Sequence, residues 1–362
     1  MLMLAGLMGV MMMGAAFVGG LETDTEETEG DDDAAPELKD EAPVGDLGTL
    51  LIEADAPGAA PADPTPTAEA LSEPAADAGP PAIEGTETAD RLIGGDGGER
   101  IFGLGGNDEL GGGGGDDLID AGSGEDIVHG GAGNDSVLAG QGEDTVFGHD
   151  EDDDLHGEDG DDHLFGGLGD DDLSGGAGDD SLVGGSGQDA LAGDTGDDSL
   201  EGMSGDDSLS GGLGEDVLFG GYGADSLDGR VLDKAGTDVD APDFLNGETG
   251  DDTIFAGQGD HVSLGSGADT LFVGDWIEGE NATLSDYDPA EDNLVVVFDD
   301  SAGSAPHLAL QASDADPDAA VLTLDGHPIL TVNNGAGLSL DDVSLVPQSA
   351  LIDVQGGAGT DR

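Results

Sequence analysis

The chain has 362 residues, length enough for roughly two or three domains, yet aromatics are only 3% of it and glycine alone supplies 69 residues. Asp and Glu total 84 against six Lys and Arg, a formal charge of −78, which excludes nucleic acid and anionic lipid as partners because both need a basic surface. Charge of that size resists a compact state unless cations neutralise it, and carboxylates favour hard cations such as Ca²⁺; the absence of cysteine excludes disulfides, thiolate metal sites and a Cys nucleophile.

Residues 1–20 (MLMLAGLMGVMMMGAAFVGG) carry no charge and hold six of the seven Met. Such a run is about long enough to span a bilayer as a helix, but it lacks the basic start of a secretory signal. Three readings compete: an uncleaved anchor, an atypical signal peptide, or an apolar tail buried elsewhere. Any membrane association is expected only through this segment. Residues 21–83 are rich in Glu, Asp, Ala, Pro and Thr. Same-sign charge and proline keep such a chain extended, so a disordered acidic linker is expected.

From residue 84 the sequence becomes periodic. Sixteen unbroken nonapeptides run from 84 to 227, beginning EGTETADRL, IGGDGGERI, FGLGGNDEL and ending SGGLGEDVL, FGGYGADSL. The ninth position is Leu, Ile or Val in every repeat, and the seventh is Asp in fifteen, with Glu99 the exception. The second position is Gly in fourteen, and so is the fifth. Residues 228–245 lose most of the glycines but are two periods long, so Asp243 and Leu245 return to the Asp and Leu positions. NGETGDDTI and two looser units carry the array to about residue 274. Residues 275–349 hold strand-like runs, NLVVVF (293–298), AVLTL (320–324) and PILTV (328–332). DGHP (325–328) reads as a hairpin turn between two of them, so a small antiparallel β cap is expected. The tail 350–362 begins one more glycine-aspartate turn and stops.

A repeat this regular implies a solenoid in which each unit stacks on its neighbours. Positions eight, nine and one, such as Ser181-Leu182-Val183, form a short strand with the aliphatic residue inward. Positions two to seven form the turn, where glycine permits backbone angles that other residues resist. Stacked about 4.8 Å apart, the Asp side chains would line up in a repulsive row. Ca²⁺ between turns would offset it with a shell of about six to eight oxygens. The sixteen repeats contain 39 acidic residues and only Arg91 and Arg100 as bases.

The pattern G-G-x-G-x-D-x-(aliphatic)-x resembles the repeats-in-toxin (RTX) family, closely over 84–227 and loosely over 246–271. The resemblance implies a right-handed parallel β-roll with eighteen residues per coil, calcium lying between repeats n and n+2 on one side. One row of ligands would then be Asp117, Asp135, Asp153, Asp171, Asp189, Asp207 and Asp225. The opposite row would be Asp108, Asp126, Asp144, Asp162, Asp180, Asp198 and Asp216. The turn glycines Gly113, Gly131, Gly133, Gly167, Gly169, Gly176, Gly178, Gly185 and Gly187 would contribute backbone oxygens. Weak points are Glu99, Glu151 at a Gly position, and the block 228–245. The segment ATLSDYDPAEDNLVVV (282–297) is similar to one that often follows RTX repeats, so Asp286 and Asp292 would cap the roll with a further ion.

No HExxH or GxSxG occurs, and nothing before residue 84 is long and apolar enough for a catalytic domain. The expectation is therefore a protein that is not an enzyme. His129, His149, His156 and His163 show no ligand spacing, and Phe102, Phe147, Phe165 and Phe219 read as scattered outward residues. The resulting expectation is an all-β protein: a right-handed parallel β-roll (β-solenoid) with a small C-terminal β cap and a disordered N-terminal region. Its parts are an apolar segment 1–20, a linker 21–83, a calcium-binding roll 84–274 interrupted at 228–245, a β domain 275–349, and a tail 350–362. The expected function is binding of multiple Ca²⁺ ions with calcium-coupled folding, extracellular or anchored to the cell surface, with export machinery as a further partner. The alternatives are a surface adhesive or structural element, and a non-catalytic secretion module related to RTX enzymes.

Overall fold

The computed structural model describes residues 82–350, apart from 304 and 314. The apolar segment 1–20, nearly all of the linker and the tail beyond 350 lie outside the described residues. The described residues form 27 strands and three short 3-10 turns. No helix among them is long and apolar enough to cross a membrane.

As far as residue 298, successive strands alternate between two sheets, which in all hold 13 and 14 strands. Along the roll each strand pairs in parallel with the strand of the next coil. Leu164 pairs with Leu182, and Leu182 with Leu200, a step of eighteen residues. Repeats n and n+2 are therefore neighbours, as the sequence pattern implies. The ninth-position aliphatics form two facing files, and Leu155, Leu164, Leu173 and Leu182 are fully buried. Burying one such side chain contributes about 1.5–3 kcal/mol, so stability accumulates rung by rung.

The strands are longer than the three residues expected. Most repeats give six, as in Ser181–Ser186, and the turn is confined to positions five to seven. Alternation makes position two face inward beside position nine, so Leu182 and Gly184 are both buried. Glycine at position two keeps the core thin, and Ala121 and Ala139, the two exceptions, are fully buried.

The block 228–245 keeps the nine-residue phase but changes side. Val217 pairs with Phe244 and Ser226 with Thr253, a step of 27 instead of eighteen. One repeat length therefore leaves the roll as an excursion, and the strand Phe244–Thr249 joins the sheet opposite to the one that uninterrupted alternation would give it. The cap also differs from a separate antiparallel unit. Asn293–Phe298 and Val343–Pro347 extend one sheet in parallel. On the other sheet, His327–Val332 adds in parallel, and then Ala320–Leu324 and Leu308–Ala312 follow antiparallel, with the hairpin turn where it was expected.

Candidate metal centre

Each seventh-position Asp sits where a strand begins, at the mouth of its turn. Its backbone N–H donates to Oδ1 of the Asp eighteen residues later. Asp144 donates to Asp162, Asp162 to Asp180 and Asp180 to Asp198, at 2.7–2.8 Å. The other row repeats this through Asp153, Asp171, Asp189 and Asp207, at 2.8–2.9 Å. All fourteen expected Asp, from Asp108 to Asp225, are at most 4% exposed. They form the two rows expected of them.

Each of these carboxylates is left half satisfied. Oδ2 is buried without a hydrogen-bond partner in all fourteen. It points into the slot over the position-two glycine. A Cβ on Gly166 would overlap Asp171 Oδ2 and lie 2.7 Å from the Gly184 carbonyl of the next coil. Position two is thus glycine for close approach and not for its backbone angles, since it has no positive φ. The positive angles fall at positions three and five. The site glycines expected from sequence, Gly113, Gly131, Gly133, Gly167, Gly169, Gly176, Gly178, Gly185 and Gly187, all lie there, with φ from 109° to 146°. Their carbonyls face along the roll, as at Gly178, whose Cβ would overlap Gly160 O.

Burial pushes the row carboxyls up from 3.8, and neighbouring carboxylates add to it while the Asp N–H bond opposes it. The result is about 6 at Asp108, Asp135, Asp144, Asp171, Asp180, Asp216 and Asp225. It is about 7 at Asp153, Asp162, Asp189 and Asp198. Asp117, Asp126 and Asp207 are also raised by burial.

Four further residues join the rows: Asp243, which the repeat phase already put at an Asp position, and Asp252, Asp260 and Asp269, which were not named as ligands. Asp243 and Asp260 continue one row, and Asp252 and Asp269 the other. The 27-residue step changes the row each joins, so Asp243 follows Asp216, where an eighteen-residue step would have put it after Asp225. Position-six acids form a second, exposed ladder running the other way: Asp179 accepts from Asp197 N–H and Asp161 from Asp179 N–H, both at 3.0 Å. Glu99 stands in the row by its backbone, but its longer side chain turns back to accept from Gly95 N–H at 2.8 Å. Glu151 takes φ 77° in place of the glycine angle. Asp286 accepts from Leu264 and Gly265 N–H, and Asp292 from Asp269 N–H, next to the last turns of the roll.

Some of the outward aromatics are not scattered. His129, Phe147 and Phe165 share one face and stack at 4.9 and 5.0 Å. His149 reaches the same ladder, with Nε2 2.9 Å from His129 Nδ1. The eighteen-residue step brings them together, a relation that linear spacing conceals.

The donor set fits a hard divalent cation. It combines buried carboxylate oxygens lacking a donor, a close-packed glycine slot and stacked backbone carbonyls. The model of the RTX calcium-binding nonapeptide repeat matches the chain at overlapping segments covering residues 83–230 and 240–271. This is an RTX nonapeptide-repeat protein. RTX repeats bind calcium, and the number of stacked turns here makes the cofactor several Ca²⁺ ions. No curated protein matches significantly. Similar solved structures include a subunit of the Azotobacter vinelandii mannuronan C5-epimerase, 23% identical, with 44% of this chain and 86% of that chain covered and a TM-score of 0.22. Another is the extracellular lipase LipA of Serratia marcescens, 18% identical, with 75% and 40% covered and a TM-score of 0.21.

Proposed function

We propose that this RTX protein is a calcium-dependent folding module that is exported and closes its roll outside the cell. The observation that carries this reading is the two rows of buried Oδ2 atoms without a partner, seven in each. Bound calcium would supply positive charge between coils. The row Asp residues would hold it through Oδ2, with backbone oxygens from the turn glycines of the same and the next coil. Oδ1 remains on the backbone N–H of the preceding coil, so each carboxylate ties two coils together. At low intracellular calcium the acidic repeats would repel and stay open, a form suited to passage through export machinery. Extracellular calcium modules bind at about 10⁻⁴–10⁻³ M, which places closure after export.

The reading is non-catalytic. Most position-six and position-seven acids of the roll stand in two ladders, one exposed and one buried, and neither ladder presents a nucleophile beside a base. Sedimentation velocity of the purified protein tests the proposal. The expected result is a slowly sedimenting, expanded chain in chelator and a faster, compact one in millimolar calcium. Equal sedimentation in both would contradict calcium-coupled closure.

A further inference from the structure

The excursion between the regular coils is built as carefully as the coils themselves. Arg230 is held by Asp228 through two bonds, of 2.7 and 2.8 Å. Its guanidinium lies over Phe255 at 4.3 Å and over Trp276 at 4.7 Å. Asp238 accepts from Val231 N–H at 3.0 Å and from Gln258 N–H at 2.7 Å, and its own N–H donates to Trp276 O. These contacts fix the segment that delivers Asp240 to the roll.

Asp240 replaces a neutral partner with a charged one. In regular coils the position-five N–H donates to a backbone carbonyl of the next coil, as Gly196 does to Leu213 O at 2.8 Å. At Gly214 that N–H donates to Asp240 Oδ1, at 2.9 Å. Asp240 Oδ2 is buried without a partner, and so are Oδ2 of Asp216 and of Asp243. The three residues are 6%, 1% and 1% exposed. They bring oxygens within 4.8 Å of one another, and among the described residues no other cluster of three acidic or histidine side chains does so. Among the described residues no base neutralises them: Arg230 is engaged by Asp228, and Lys234 is exposed.

We propose that the excursion is a dedicated cation site, in which Asp216, Asp240 and Asp243 hold one Ca²⁺ more tightly than the regular turns do. The inference rests on the calcium reading of the rows. It adds that the interruption, which looks like a damaged stretch of repeat, is the strongest site of the roll. Calcium affinity rises with the number of ligand charges and with rigidity of the site. Here a third carboxylate joins two row members on a pinned loop.

The test is calcium release from the loaded full-length protein on rapid mixing with a chelating dye. The wild type is expected to release one ion per chain in a final phase at least about tenfold slower than the rest. Asp240→Asn, which keeps the Oδ1 acceptor, is expected to lose that phase. Asp179→Asn, the same charge change on the exposed ladder, is expected to keep it. An unchanged final phase in Asp240→Asn overturns the proposal, as does single-phase release from the wild type. Wild-type protein that bound no calcium would overturn the calcium reading itself, so the two failures are distinguishable. A second measurement needs no variant. Trp276, the only Trp, bonds through its carbonyl to Asp238 and reports on this loop. Its emission is expected to change at lower calcium than the far-ultraviolet circular dichroism of the roll, and the reverse order overturns the proposal.

Discussion

Replacing Asp162 by Asn should act in opposite directions with and without calcium. Asp162 is fully buried in the middle of its row, between Asp144 and Asp180. Burial, then its like-charged neighbours, raise its carboxyl from 3.8 to about 7 in the metal-free fold. The folded state therefore holds the proton more tightly than the unfolded chain. That contribution is complete below pH 3.8 and is lost as pH rises through about 7. At neutral pH the ionised Asp162 costs the metal-free roll on the order of 4 kcal/mol. In chelator the wild type should thus gain β structure on acidification, as its row aspartates take up protons. If about fourteen of them protonate together, relieving 4 kcal/mol raises the folding midpoint by about 0.2 pH unit in Asp162→Asn. In saturating calcium the sign reverses, because the variant has lost a ligand charge worth about 1–3 kcal/mol and should hold that ion at least about tenfold more weakly. Circular dichroism against pH in chelator and calcium counting by chelator competition read the two arms. A lower acid midpoint in chelator, or unchanged calcium binding, would refute the idea that Oδ2 is a buried charge awaiting a cation.

Other changes separate core, turn and strain. Leu182→Ala should cost about 3 kcal/mol or more in denaturant unfolding with calcium present, because Leu182 is buried between Leu164 and Leu200, while Val183→Ala on the outer face should cost under about 1 kcal/mol. Gly178→Ala combines φ 144° with overlap of Gly160 O, so it should raise the calcium concentration needed for folding by an amount equivalent to about 2–3 kcal/mol. Met203 sits at φ 79°, so Met203→Gly should stabilise the calcium-loaded roll by about 1 kcal/mol in the same unfolding assay.

Much of this was legible because two side-chain positions carry the fold. Leu at position nine and Asp at position seven gave the files, the rows and the pairing of n with n+2. What the sequence concealed depends on partners eighteen or more residues away. The inward slot at position two became visible only with Asp171 Oδ2 above Gly166. The excursion preserves the nine-residue phase, so counting could not show that Phe244 changes side. The cap strands Asn293–Phe298 and Val343–Pro347 have ordinary apolar composition, which does not distinguish parallel addition to the roll from a separate unit. The stack of His129, Phe147 and Phe165 is likewise created by the coil and not by sequence proximity.

The central claim is that calcium closes the roll by neutralising its buried carboxylate rows. A calcium titration of the protein at neutral pH, followed by far-ultraviolet circular dichroism with magnesium as control, tests it most directly. The account predicts a cooperative gain of β structure with calcium and little with magnesium, because magnesium dehydrates reluctantly and requires near-octahedral geometry. A β signal already complete in chelator, or one that no calcium concentration induces, would contradict it.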